Sequence, residues 1–136
     1  MDTPMEPPRL LQAYQDTVDG ALIRHRSILD TLSKSQEAHA RLARALATAV
    51  TVCGCISIEA ERQRIPMDAD LNHLHQYVRS HIEGDLCARC REEVEVELGQ
   101  MLFYETALAS LFGLSLDGVL KRDLARLRTL GVFNLS

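Results

Sequence analysis

The chain has 136 residues, of which 46% are hydrophobic, and its 15 Lys and Arg against 19 Asp and Glu give a formal charge of −4. A domain of this size buries roughly 68–70% of its unfolded surface, so it can build a core without a metal or disulfides. The mild acidic excess, without runs of Lys or Arg, argues against nucleic acid and anionic membranes as partners.

The chain also lacks the sequence features of membrane and secreted proteins. No apolar run reaches the roughly 18 residues that a membrane-spanning helix needs. Residues 1–8 hold three of the four prolines and do not resemble a signal peptide. We therefore expect a cytoplasmic protein with a flexible tail over residues 1–8 and a single helical domain over residues 9–136.

Leucine and alanine dominate the apolar residues, which favours helix over sheet. Apolar spacings of three, four and seven predict a first helix from Leu10 to Leu32 and a second that starts at Ser33 or Ser35. Gly54 should break the second helix, and the polar residues 59–64 should resume it until Pro66.

The second half of the chain predicts three further helical segments. A short helix should carry the apolar residues of 71–82 and end at Gly84. A long helix should run from Asp85 or Cys90 to Leu111, and a last one should be capped by Ser115 and end at Gly131. Four to five amphipathic helices joined by short turns predict an all-α bundle.

All four cysteines fall in two close pairs, Cys53-Gly-Cys55 and Cys87-Ala-Arg-Cys90. Four thiolates satisfy tetrahedral zinc, and the two pairs would each supply half of the ligands. Residues i and i+2 of a regular helix point about 200° apart, so Gly54 has to provide a turn that brings the first pair to one ion. The spacing predicts a structural zinc site. Buried free thiols, an iron–sulfur cluster and a redox dithiol at the second pair are the alternatives.

A second candidate site lies on the long helix, where Glu93, Glu97 and Gln100 have spacings of four and three and share one face. Carboxylates at positions i and i+4 repel each other, so an interior Glu93–Glu97 pair would need a cation. The alternative is a solvated helix face.

The segment Glu97-Leu-Gly-Gln-Met-Leu-Phe-Tyr and the later Phe112-Gly-Leu-Ser-Leu-Asp-Gly-Val-Leu, followed by a helix of Lys, Arg and Leu, resemble the MazG-like all-α nucleoside triphosphate pyrophosphohydrolases. The resemblance covers about residues 90–131 and extends weakly to residues 36–64. It implies a MazG-like homodimer that uses Mg²⁺ or Mn²⁺ to hydrolyse a nucleoside triphosphate to the monophosphate and pyrophosphate.

The resemblance also implies which residues would bind that ion. Glu97 matches the first acid of the later family motif, and Gln100 stands where the family has an aspartate. Glu59 or Glu61 would match the earlier acidic motif, and Glu93 would complete the ligand set. An amide oxygen contributes no charge, so such a site should hold Mg²⁺ less tightly than four carboxylates would.

Lys121 and Arg122 on the last helix are the candidates for phosphate binding. The runner-up hypothesis is a non-catalytic, zinc-stabilised helical dimer that binds a nucleotide or a protein partner. A thiol-based redox sensor that uses the same cysteines is the third.

Overall fold

The structure is a computed structural model and describes residues 7–22 and 26–131. These residues form four α-helices and one two-stranded antiparallel sheet. The helices are α1 (Pro7–Ala21), α2 (Ile28–Thr48), α3 (Ala88–Leu111) and α4 (Leu116–Leu130), and the strands are β1 (Ile56–Ile58) and β2 (Ile82–Gly84). A π-helical turn, Ala49–Cys53, extends α2, and a 3₁₀ turn, Leu71–Gln76, lies between the strands.

Helices α2 and α3 pack antiparallel along their lengths and form the centre of the fold. At one end Ser35 Oγ donates a hydrogen bond to Glu105 at 2.6 Å, and further along Arg41 Nε lies 3.3 Å from Glu97 Oε2. At the other end the chain leaves α2 through the π-helical turn and returns into α3 after the hairpin. The two ends that carry the cysteines therefore meet.

Helix α1 packs on the opposite end of α3, where Val18, Leu22 and Ala107 form a buried apolar cluster. Gln15 joins this cluster to the start of α4 and is itself buried. Its amide nitrogen donates to Ser110 Oγ (3.0 Å) and to the Leu114 carbonyl (2.8 Å), and its amide oxygen accepts from the Leu116 N–H (2.6 Å). A buried amide with every polar atom paired fixes the position of the α3–α4 turn.

The predicted helical fold is confirmed in its coarse form, and the hairpin is the main correction. Residues 59–64 are not helical, because the β-branched run after Cys55 forms β1 and pairs with β2 in the register Ile56↔Gly84, Ser57↔Glu83 and Ile58↔Ile82. Gly84 is a strand residue with φ +88°, not the end of a helix, and a Cβ there would lie 2.6 Å from the Cys55 carbonyl oxygen. Only glycine allows the strands to approach this closely.

Several helix boundaries also differ from the prediction. The boundary between the first and second helices comes earlier than predicted, because Ser27 caps α2 by accepting a hydrogen bond from the Asp30 N–H. Ser33 and Ser35, the predicted caps, therefore lie inside α2. A 3₁₀ turn replaces the predicted helix over 71–82. The ends of the last helix are confirmed: Ser115 Oγ accepts from the Gly118 N–H, and Gly131 ends α4 with φ +53°.

The predicted tail, residues 1–8, overlaps the start of α1, which begins at Pro7. Proline suits the first position of a helix because it has no backbone N–H, and an N–H at that position would have no acceptor within the helix. Residues 1–6 lie outside the described residues. Among the helices of the described ranges, none combines the length and the apolar character that crossing a bilayer requires.

Candidate metal centre

The structure brings the four cysteines together at the junction of α2, β1 and α3. They lie 3.6–4.1 Å apart, with 3.8 Å between the sulfurs of Cys53 and Cys87, and none is in a disulfide. A tetrahedral ion with metal–sulfur bonds of about 2.3 Å places its sulfurs about 3.8 Å apart. The four thiols thus have the donor set and the spacing of a site for a single metal ion.

The first cysteine pair depends on the way α2 ends. The helix widens into the π-helical turn that ends at Cys53, and Gly54 then adopts a left-handed conformation with φ +76°. Its N–H donates to the Ala49 carbonyl at 2.9 Å and closes the turn. The reversal brings Cys53 and Cys55 to the same side of the chain, as the sequence predicted from the glycine between them.

The second pair sits at the first turn of α3. Cys87 is the N-cap residue, and its sulfur accepts a hydrogen bond from the Cys90 N–H at 3.4 Å. Cys90 lies one turn into the helix and is buried. Residues i and i+3 share a helix face, and the positive end of the helix dipole favours thiolates at this position.

The ionisation of the second pair reflects this geometry. The backbone N–H of Cys90 lowers the pKa of Cys87 to about 7, because it donates to the thiolate form of that sulfur. The hydrogen bond with the Cys87 side chain raises the pKa of Cys90 to about 12. Ionisation of one thiol therefore disfavours ionisation of its neighbour. A bound divalent cation offsets this repulsion and allows all four thiols to ionise together.

Arg89 is a residue near this site that the sequence analysis did not single out. The charge of the Cys53 thiolate, followed by hydrogen bonding to Cys90, raises the pKa of its guanidinium. Four thiolates around a divalent cation carry a net charge of −2, so an adjacent arginine lowers the electrostatic cost of the centre. The signal in the sequence was its place inside the Cys87–Cys90 pair.

An apolar cluster lies beneath the sulfurs. Ala49, Ile56 and Cys90 are buried together, and Val50 and Leu86 pack against them. Cys53, Cys55 and Cys87 remain half-buried. The cysteines thus pack on residues from the end of α2, from β1 and from the start of α3.

The carboxylates of the second candidate site are not brought together in the same way. Within the described residues, the cysteines are the one group of three or more Cys, His, Asp or Glu side chains whose ligand atoms converge. Glu61 lies 3.6 Å from Arg79 in the segment between the strands, and Glu59 and Glu93 are exposed. Glu97 lies about 15 Å along α3 from Cys87, whereas Glu59 and Glu61 follow β1 in the stretch of chain between the two cysteine pairs.

Glu97 and Gln100 lie on the same stretch of α3, and only Glu97 has a charged partner. Gln100 is exposed, and Glu97 is paired with Arg41 of α2 at 3.3 Å. Arg41 also lies 4.0 Å from Glu37, one turn earlier on α2. The side chain that faces Glu97 across the helix pair is therefore an arginine that lies between two carboxylates.

The two candidate phosphate ligands, Lys121 and Arg122, have different surroundings. Lys121 is exposed and pairs with Asp117 at 2.8 Å, which raises the pKa of its ammonium group. Arg122 instead lines an open cavity of about 640 Å³ at the start of α4, together with Ser115 and Gly118. The residues that line this cavity include none of the predicted acidic ligands.

Comparison with protein-family models, with curated proteins and with solved structures finds no match to this chain. The MazG-like resemblance therefore has no support beyond the motif residues that suggested it.

Proposed function

We propose that this protein binds one Zn²⁺ ion through Cys53, Cys55, Cys87 and Cys90, and that the ion has a structural role in holding the ends of α2 and α3 together. The observation that supports this most strongly is the spacing of 3.6–4.1 Å among four cysteines that come from two separate parts of the chain. The function is that of a zinc-stabilised helical scaffold.

Zinc fits the donor set better than the alternatives weighed from the sequence. An iron–sulfur cluster places several metal atoms between its thiolates, so its cysteine sulfurs lie further apart than the sulfurs around a single ion. A site of four thiolates binds Zn²⁺ more tightly than Fe²⁺. A redox dithiol uses two cysteines, and here all four converge.

A structural role follows from the number of protein ligands. Four cysteines complete the tetrahedral shell and leave no position for water or substrate, whereas catalytic zinc keeps one position open. Because the ligands come from the end of α2 and the start of α3, the ion would cross-link residues that are more than thirty positions apart. Zinc binding would then add directly to the free energy of folding.

Nucleotide hydrolysis, which the MazG-like resemblance implies, stays a prediction and is our second candidate. Its support is the resemblance of the segments that begin at Glu97 and Phe112 to motifs of that family, and in the structure Glu97 pairs with Arg41 of α2 at 3.3 Å. A panel of nucleoside triphosphates with Mg²⁺ or Mn²⁺ tests it. Turnover that Glu97→Gln abolishes would support this site, and turnover that is indifferent to Glu97→Gln would exclude it.

The zinc proposal is tested by elemental analysis of protein purified without oxygen. We expect close to one zinc per chain, with thiols that react only after chelation or denaturation. Cys87→Ser and Cys90→Ser should each lose the metal and lower the melting temperature. Ala88→Ser is the matched control, because it introduces the same residue at an exposed position of the same turn without removing a ligand.

The outcomes separate the hypotheses. Iron in the elemental analysis, together with absorbance at visible wavelengths, would show that the cysteines hold an iron centre and would refute the zinc proposal. Four freely reactive thiols and no metal, in protein that retains its helical circular dichroism, would refute the proposal and return the cysteines to a packing role. Tetrahedral thiolate bands on addition of Co²⁺ would confirm the geometry independently of the purification.

A further inference from the structure

The four cysteines differ in how easily a small molecule reaches their sulfurs. Cys90 is buried, whereas Cys53, in the turn that ends α2, is the most exposed of the four. The residues on either side of it, Val52 and Gly54, are exposed as well. A small polar oxidant therefore reaches the Cys53 sulfur without any rearrangement of the core, and we expect this thiol to react first.

The surroundings of Cys53 are those of a reactive thiol. Redox-active cysteines lie in partly exposed, positively charged places, often beside a second thiol that completes a disulfide. Arg89 interacts electrostatically with Cys53. The Cys87 sulfur lies 3.8 Å from the Cys53 sulfur, at the N-terminus of α3, where the helix dipole is positive. Cys53 thus has a cationic neighbour and a partner thiol from a distant part of the chain.

Among the three other cysteines, Cys87 is the partner that the geometry favours. A disulfide has a sulfur–sulfur bond of about 2.05 Å, so each sulfur of the Cys53–Cys87 pair would move by about 0.9 Å. Cys55 is two residues from Cys53, and a disulfide between them would close a small, strained ring. Cys90 is held in the buried apolar cluster, and bonding to it would disturb close packing.

We propose that a hydroperoxide oxidises Cys53 and Cys87 to a disulfide, which releases the zinc ion and takes over its cross-link between α2 and α3. This inference rests on the zinc site proposed above, and it assigns to that site a chemical class of substrate and a form of regulation.

The reaction is a two-electron oxidation, written here for hydrogen peroxide. The Cys53 thiolate attacks the peroxide, an S–O bond forms as the O–O bond breaks, and the leaving hydroxide takes a proton to become water. The Cys87 thiolate then attacks the Cys53 sulfur, an S–S bond forms as the S–O bond breaks, and a second hydroxide leaves as water. Two thiolates lose two electrons, which the peroxide accepts with two protons. Cys55 and Cys90 each take up a proton as the ion leaves.

The oxidised chain would keep one of the connections that the ion provides. A disulfide between residues 34 positions apart restricts the unfolded chain and thereby stabilises the pairing of α2 with α3. Cys55, which directly precedes β1, has no such bond after the ion leaves. Oxidation should therefore loosen the hairpin while the helix pair stays in place.

The test treats the full zinc-loaded chain, purified without oxygen, with hydrogen peroxide. We expect the loss of one zinc per chain, measured with a colorimetric indicator, and of two of the four thiols. Trypsin cleaves after Arg79 and Arg89, which places Cys87 on the peptide 80–89 and Cys90 on the peptide 90–91, while the peptide 45–62 carries the first pair. Mass spectrometry should find the peptides 45–62 and 80–89 joined by a disulfide. The oxidised chain should also melt at a higher temperature than reduced, zinc-free protein.

Two matched histidine variants identify the partner within the first pair. Cys53→His and Cys55→His each keep four zinc ligands, because three cysteines and one histidine also bind structural zinc. Cys55→His should still form the disulfide with Cys87, whereas Cys53→His should form none and should keep its zinc at the same peroxide concentration. Zinc content before treatment shows whether each variant folds. If either variant binds no zinc, fragmentation of the joined wild-type peptides distinguishes Cys53 from Cys55.

The outcomes separate this inference from the zinc proposal. Four intact thiols and full zinc content after treatment would overturn the inference and leave the zinc scaffold standing. A disulfide between the peptides 80–89 and 90–91 would also overturn it, because that bond joins Cys87 to Cys90 and does not connect the two helices. Absence of zinc before treatment would overturn both proposals.

Discussion

Replacing Gly84 with alanine tests whether the hairpin holds the metal ligands in place. Gly84 has φ +88°, and an added Cβ would lie 2.6 Å from the carbonyl oxygen of Cys55. Gly113, in the turn between α3 and α4, has φ +69° and open space around it. Gly113→Ala therefore measures the conformational cost of the left-handed backbone alone.

The two substitutions should differ by the cost of moving the chain at Cys55. A left-handed residue with a Cβ costs about 1–2 kcal/mol, and both variants carry this cost. Gly84→Ala must also push the strands apart at the pair Ile56↔Gly84, and overpacking of this kind costs about 1–3 kcal/mol. We expect losses of about 1–2 kcal/mol for Gly113→Ala and of about 2–5 kcal/mol for Gly84→Ala.

The assay is urea unfolding at a fixed excess of zinc, with zinc affinity measured separately by competition with a chelator. Because Cys55 is displaced, Gly84→Ala should also weaken zinc binding, whereas Gly113→Ala should leave it unchanged. Equal losses of stability in the two variants, with equal zinc affinities, would refute the argument that Gly84 is required for the close approach to Cys55.

Three further predictions concern the core and the metal centre. Gln15→Leu should destabilise the fold by about 2–4 kcal/mol in the same unfolding assay, because it removes three hydrogen bonds and leaves the half-buried Leu116 N–H without its acceptor. The exposed Gln12→Leu should change stability by less than about 0.5 kcal/mol. Removing zinc with a chelator should abolish hydrogen-exchange protection in the hairpin and the first turn of α3, while the cluster around Ala107 keeps its protection; uniform loss would contradict this. Arg89→Gln should weaken zinc binding by up to about tenfold, and an unchanged chelator competition would remove this arginine from the centre.

The parts of the fold that could be predicted are those that local chemistry determines. Ser115 and Gly131 delimit α4 because a cap and a left-handed stop act within one turn, and the cysteine pairs converge because each spacing suits a turn or a helix start. The hairpin was missed because each strand has only three residues and its partner lies more than twenty residues away. Its one local signal was the β-branched pair Ile56 and Ile58.

The predicted acidic site depended on information that a single sequence does not contain. Whether Glu97 faces an acid or a base is decided by the register in which α2 packs against α3, and periodicity gives the faces of each helix but not their alignment. In the structure the residue opposite Glu97 is Arg41. The candidate ligands Glu59 and Glu61 lie outside the helix pair, because residues 59–64, which were predicted to resume the second helix, follow β1 without forming a helix.

The segment between the two strands divides the chain into halves that each carry two cysteines. Gln63 pairs with both backbone groups of Arg79 at the base of this segment, and Met67 beyond it is fully exposed. A cut next to Met67 would leave one fragment with α1, α2 and β1 and another with β2, α3 and α4. The proposed zinc ion would then bridge two separate polypeptides, so the protein could be divided here into a pair whose reassembly depends on the metal.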